Sequence, residues 1–161
     1  MIRPVGPQDV RFLRDMLRHA YFWRMGRETE DPVFRYVRNW GRRGDFGLVA
    51  FDESLNLVGA AWYRIFRETE PGFGFVDEQT PELTVAVVPA RRGQGFGHEL
   101  LEGLLARAQK EGHPAVSLSA PKGATKLYEG YGFRALNEED DTVTMTAQLA
   151  SRQNEGERDG M

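Results

Sequence analysis

The sequence predicts a single α/β domain in which a mixed central sheet of six to seven strands is flanked by about four helices. Three observations carry this. A buried strand, a glycine turn, a helix and a second strand follow one another between Leu83 and Ala120. Two strand-like runs, Gly47 to Phe51 and Leu57 to Phe66, are separated only by DESLN. At 161 residues with 40% hydrophobic content, the chain is long enough for one well-buried core and short for two.

The opening IRPVGPQDV reads as a short strand, a turn and a helix start, with Pro7 near the first helical position and Asp9 in the first turn, where a carboxylate suits the helix dipole. Val10, Leu13, Leu17 and Ala20 then recur at helical spacing. A second helix is expected from Pro32 to Trp40, ended by Gly41 and Gly44. The two runs around DESLN read as an antiparallel hairpin, and Arg67 to Thr80, rich in glycine and acids, as a loop.

Leu83 to Val88 is almost wholly apolar, as a strand covered on both faces is. It runs through Pro89 into RRGQGFG and then a helix whose stripe is Phe96, Leu100, Leu101, Leu104, Leu105 and Ala108. Gly112 and Pro114 stop that helix, and Ala115 to Ala120 is the next strand. A strand-helix-strand order of this kind requires a parallel pair and a crossover. A last helix from Lys122 to Glu129 and a closing strand from Thr142 to Leu149 complete a domain over residues 1–150, with 151–161, SRQNEGERDGM, as a flexible tail.

Composition excludes several classes of function. With no cysteine there is no disulfide, zinc thiolate or cysteine nucleophile, and a cytoplasmic setting is expected. No run approaches the roughly 20 apolar residues of a membrane span, and no signal-peptide layout opens the chain. A net charge of −3, from 21 basic and 24 acidic side chains, gives no overall field for nucleic acid. His19, His98 and His113 lie far apart with no ligand spacing, so no metal is expected, and Ser117 and Ser119 lack the setting of a hydrolase nucleophile.

Arg91 to Gly97 places three glycines at alternate positions between a buried strand and a strong helix. Backbone N–H groups converging there, ahead of the positive end of a helix, suit a pyrophosphate, and Arg91 and Arg92 add charge. Glycine is expected because a Cβ would block the close approach of the anion. The bland alternative is a tight turn carrying surface arginines. No Lys-Ser or Lys-Thr follows the last glycine, and position 98 is histidine, so neither the NTPase loop nor the dinucleotide fingerprint is present.

The string LTVAVVPARRGQGFGHELLEGLL resembles motif A of the GNAT superfamily, the GCN5-related N-acetyltransferases, with Arg92, Gly95 and Gly97 in the motif positions. ATKLYEGYGF is similar to the family's later helix and to the Tyr-x-x-x-Gly-Phe that opens a further strand. The resemblance implies a GNAT-like fold and an acetyl-CoA-dependent N-acetyltransferase. It implies pantetheine contacts with the strand backbone at Val85, Ala86 and Val87, and pyrophosphate contacts at Arg92, Gly93, Gln94, Gly95, Phe96, Gly97 and His98. Pro121 stands where many members carry asparagine.

An alkyl ammonium must lose a proton before it attacks a thioester, and Glu82, opening the motif A strand, is the candidate base. Tyr128 matches the family's general-acid tyrosine, which serves the departing thiolate, with Tyr131 as its rival. Tyr21, Phe22, Trp23, Phe73 and Phe75 are candidate walls of an acceptor pocket, and Glu68, Glu70, Asp77, Glu78 and Glu82 candidate attractors of a cationic amine. The acceptor is expected to be a small-molecule amine or a peptide or protein amine, and the exposed edge of the closing strand offers a route to a homodimer. A non-catalytic acyl-CoA-binding sensor or interaction module on the same fold is the competing reading.

Overall fold

A computed structural model describes residues 1–25 and 33–149, with side chains described for 1–21 and 33–149. Seven strands and three α-helices are present among the described residues: β1 (Ile2–Pro4), α1 (Val10–Met25), β2 (Phe46–Phe51), β3 (Leu57–Arg64), β4 (Glu82–Val87), α2 (Phe96–Lys110), β5 (Ala115–Pro121), α3 (Lys126–Glu129), β6 (Arg134–Glu138) and β7 (Thr142–Gln148). The sheet order is β1-β2-β3-β4-β5-β7-β6, with β4 and β5 parallel and β1–β2, β2–β3, β5–β7 and β6–β7 antiparallel. The expected mixed α/β fold and its βαβ unit are therefore present. The expected tail lies outside the described residues. The chain forms two compact units, Met1–Arg64 with Thr84–Leu104, and Ile65–Leu83 with the chain from Leu105 on.

In the first unit, Leu13, Met16 and Leu17 of α1 are buried, as are Leu48, Val49, Ala50, Ala60, Ala61 and Trp62 of the hairpin and Leu100, Leu101 and Leu104 of α2. Each such leucine contributes on the order of 1.5–3 kcal/mol by leaving water. The DESLN turn closes as read. Asp52 Oδ1 accepts the N–H groups of Ser54 and Asn56 at 2.9 Å each, and Leu55 takes the left-handed φ of 65°.

The helix expected from Pro32 to Trp40 ends before its pattern does. Pro32 lies outside the described residues; among the described ones Val33 and Phe34 are helical, and turns follow to Asn39, whose φ is 55°. The cause is a buried cation from β3. Arg64, with no exposed surface, forms a two-pronged ion pair with Asp45 at 2.9 and 2.8 Å and donates to the carbonyls of Arg35 and Arg38 at 2.8 and 2.7 Å. Carbonyls held by a guanidinium need no helical N–H partner.

In the second unit, β7 pairs with β5 along its whole length and with β6 on its other side. Val143, Met145 and Ala147 of β7 are buried with Val116, Leu118 and Ala120 of β5 and with Phe133. The closing strand therefore has no free edge, contrary to the route to a dimer expected from the sequence. The edge is β6, all five of whose residues are exposed, and a bulge between Ala135 and Asn137 breaks its register. A bulge twists an edge away from further pairing. The helix expected from Lys122 to Glu129 divides into a 3-10 turn, Lys122–Ala124, and the single turn α3.

Candidate active site

Following β4, Pro89–Arg91 makes a 3-10 turn and Arg92 returns to extended backbone at φ −68°, ψ 152°. Gly93 and Gly95 then take φ of 78° and 90°, and α2 begins at Phe96. Left-handed backbone is what glycine adopts without strain. Its chain neighbours apart, a Cβ built at either position meets no atom of the described residues within 4 Å, so the turn's demand for glycine is conformational and its Cα atoms face open space. The bond from Glu99 N–H to Gly95 O, 3.1 Å, is the first of the helix. The N–H groups of Phe96, Gly97 and His98 precede it, and helix geometry directs them out of the N-terminus, where a helix favours an anion.

The two arginines of the turn have different fates. Arg91 pairs with Asp52 at 2.8 Å, donates to Gln94 Oε1 at 3.1 Å and lies 5.4 Å over the Phe96 ring. The Arg91 hydrogen bond, followed by the Asn56 backbone N–H, holds the Asp52 carboxyl below its usual pKa. Arg91 thus ties the turn to the β2–β3 hairpin, and its charge is already matched. Arg92 is exposed; its N–H donates to Pro89 O at 3.3 Å, but its guanidinium has no partner among the described residues, which leaves it as the cation of the turn. His98 and Gln94 are exposed, while Val85 and Val87 are half-buried and Ala86 is buried on β4.

Glu82 opens β4 in register with Ser117 of β5, and Ser117 N–H donates to Pro81 O at 3.0 Å. It is 1% exposed. Its carboxylate packs directly against Gly72, where a Cβ would lie 2.8 Å from its Cδ and 2.9 Å from Oε2. Tyr128, on α3, meets Phe133 edge-on with centroids 5.8 Å apart at 70°. The residue is half-buried, and desolvation of the phenol pushes its pKa up to about 12. It keeps its proton at any physiological pH. Tyr131, the rival, is half-buried and gives its N–H to Tyr128 O at 2.9 Å.

The residues expected to line an acceptor pocket separate. Tyr21 is core: it is 2% exposed, sits at a kink in α1 (φ −130°, ψ 21°), shares a hydrogen bond with Thr84 Oγ1 at 3.1 Å and lies 4.7 Å from the Tyr36 ring. Phe22 and Trp23 have side chains outside the described set. Phe73 and Phe75 are half-buried. Among the acids, Asp77 Oδ1 accepts from Gln79 N–H and Thr80 Oγ1, and Glu78 accepts the Glu68 N–H at 2.9 Å, so these two fold their own loop. Glu68 and Glu70 are exposed. Among the described residues no cluster of three potential metal ligands exists. Ser117, set aside from the sequence as no hydrolase nucleophile, donates its Oγ–H to Gly74 O at 2.8 Å; a serine inside a strand carries no signal of a long-range bond.

Residues 10–133, which include the glycine turn, Glu82 and Tyr128, match the model of the acetyltransferase (GNAT) family. The chain belongs to the GNAT acetyltransferase family. The GNAT fold is shared with a phosphinothricin acetyltransferase from Sinorhizobium meliloti in complex with acetyl-CoA, at 19% identity, TM-score 0.71, and 95% and 90% coverage of this chain and that one. It is shared also with yncA from Salmonella typhimurium with its cofactor acetyl-CoA, at 21% identity, TM-score 0.71, and 94% and 95% coverage. A third GNAT relative is the ribosomal-protein-alanine N-acetyltransferase from Brucella melitensis, at 25% identity, TM-score 0.67, and 92% and 99% coverage. No curated protein sequence matches the chain.

Proposed function

We propose that this GNAT chain transfers the acetyl group of acetyl-CoA to a primary amine by direct attack on the thioester, in the cytoplasm. The observation that carries the proposal is the turn after β4: two left-handed glycines with open space above them, the N-terminus of α2 and the Arg92 guanidinium, which has no partner among the described residues. These groups fit a pyrophosphate, the anionic part of coenzyme A, and the backbone of Val85, Ala86 and Val87 is assigned to its pantetheine arm. Gly93, Gln94, Gly95, Phe96, Gly97 and His98 complete the coenzyme contacts.

Acetyl-CoA supplies an activated acetyl thioester. Glu82 takes the proton that an alkyl ammonium, of pKa near 10.4, must lose before its nitrogen can bond to the acetyl carbon. As that C–N bond forms and the C–S bond breaks, the nitrogen sheds a second proton and the sulfur gains one. The balance is an ammonium and a thioester giving an amide, a thiol and one released proton. Tyr128 serves the departing sulfur. With its pKa near 12 against about 8.5 for a thiol, full transfer of its proton would be uphill by about 5 kcal/mol, so its part is a hydrogen bond to the developing charge.

The experiment is calorimetric titration with acetyl-CoA beside ATP and NAD, then thiol release with phosphinothricin, spermidine and a peptide with an N-terminal alanine as acceptors. Acetyl-CoA binding followed by release with one of these supports the proposal. Binding without release supports a sensor, and no binding refutes both.

A further inference from the structure

The loop from Pro71 to Phe75 makes contacts that its glycine-rich composition alone does not explain. Gly72 and Gly74 are absent from the glycines of positive φ, so backbone conformation does not demand glycine at either. Space does. At Gly72 a Cβ would enter the Glu82 carboxylate, and at Gly74 it would lie 2.5 Å from Leu118 C and 2.7 Å from both Leu118 O and Ser119 N. The loop backbone therefore lies flat on the backbone of β5 at one glycine and flat on the carboxylate at the other.

Ser117 fastens it. Its side chain has no exposed surface, and its Oγ donates to Gly74 O at 2.8 Å. Ser117 is also the β5 residue in register with Glu82. The bond from Phe75 N–H to Gly72 O, 3.3 Å, closes the loop between the two glycines. Gly72, Glu82, Ser117 and Gly74 thus form a closed circuit of contacts.

We propose that Ser117 is a positioning residue: through Gly74 it holds the Pro71–Phe75 segment as a strap across Glu82 and so confines the carboxylate to one place. The inference rests on the reading of Glu82 as the base for its catalytic meaning. A carboxylate confined this way presents a fixed oxygen to an incoming amine or its relaying water, and proton transfer depends on that placement.

The test is the rate at which a water-soluble carbodiimide couples glycinamide to Glu82, read by peptide mass spectrometry on the full chain, with buried Asp9 as internal control. Ser117→Ala is expected to raise labelling of Glu82 about 10-fold and leave Asp9 unchanged, with Ser117→Thr restoring protection. Gly72→Ala, which keeps the Ser117 bond and occupies the carboxylate's position, raises labelling likewise and covers the case in which Ser117→Ala does not fold. Unchanged labelling, or an equal rise at Asp9, overturns the strap. Activity separates the two readings: Glu82→Gln should erase the acid limb of the kcat/KM profile for whichever of phosphinothricin, spermidine or the alanine peptide turns over, and Ser117→Ala should shift it. A limb that survives Glu82→Gln refutes the base while the labelling result still decides the strap.

Discussion

Replacing Gly95 with alanine separates what the turn does for the fold from what it does for a ligand. The φ of 90° at Gly95 lies where a Cβ clashes with its own backbone, a strain of about 1–2 kcal/mol for an L-residue. Chain neighbours apart, no atom of the described residues comes within 4 Å of the added methyl, so no clash with them enlarges that figure. For a chain of 161 residues the melting temperature should fall by roughly 2–8 °C. A methyl in the open face of the turn also takes up space that a pyrophosphate would occupy. The dissociation constant for acetyl-CoA should rise at least about 10-fold, roughly 1.4 kcal/mol. Melting by scanning calorimetry and titration calorimetry on the same sample read the two effects independently. A lowered melting temperature with unchanged affinity would reduce the turn to a structural connection and refute its assignment to the coenzyme.

Arg64→Ala should cost about 3–5 kcal/mol in urea unfolding, because Asp45, with side-chain exposure of 2%, is left as an unmatched buried charge; a loss below 1 kcal/mol would refute the clasp. Tyr128→Phe should remove an alkaline instability. A phenol raised from about 10 to about 12 contributes stability that is complete below pH 10 and is lost as pH rises through 12, so the wild type should lose about 1.4 kcal/mol at pH 11 that the variant does not. Equal alkaline loss in both proteins would place the hydroxyl in water. The same variant should lower kcat more than it raises KM for acetyl-CoA, since the bond to sulfur strengthens only as the thiolate develops.

The parts legible in the sequence are those whose cause is local. The left-handed glycines, the α2 stripe and the Asp52 turn each arise within a few residues, from backbone torsion, helical period and an aspartate reaching its neighbours' N–H groups. The family resemblance proposes Glu82 as base and Tyr128 as acid from their positions along the chain alone. Tertiary structure alone decided the partners. That β7 is inserted between β5 and β6, that Arg64 holds Asp45 and the Arg35 carbonyl, that Arg91 is matched by Asp52 and that Ser117 reaches Gly74 all join residues 19 to 43 positions apart or strands out of chain order. Such contacts leave no periodicity behind. They depend on which backbones the folded chain brings within about 3 Å, and a hydrogen bond at that distance says nothing of itself in the residue type that makes it.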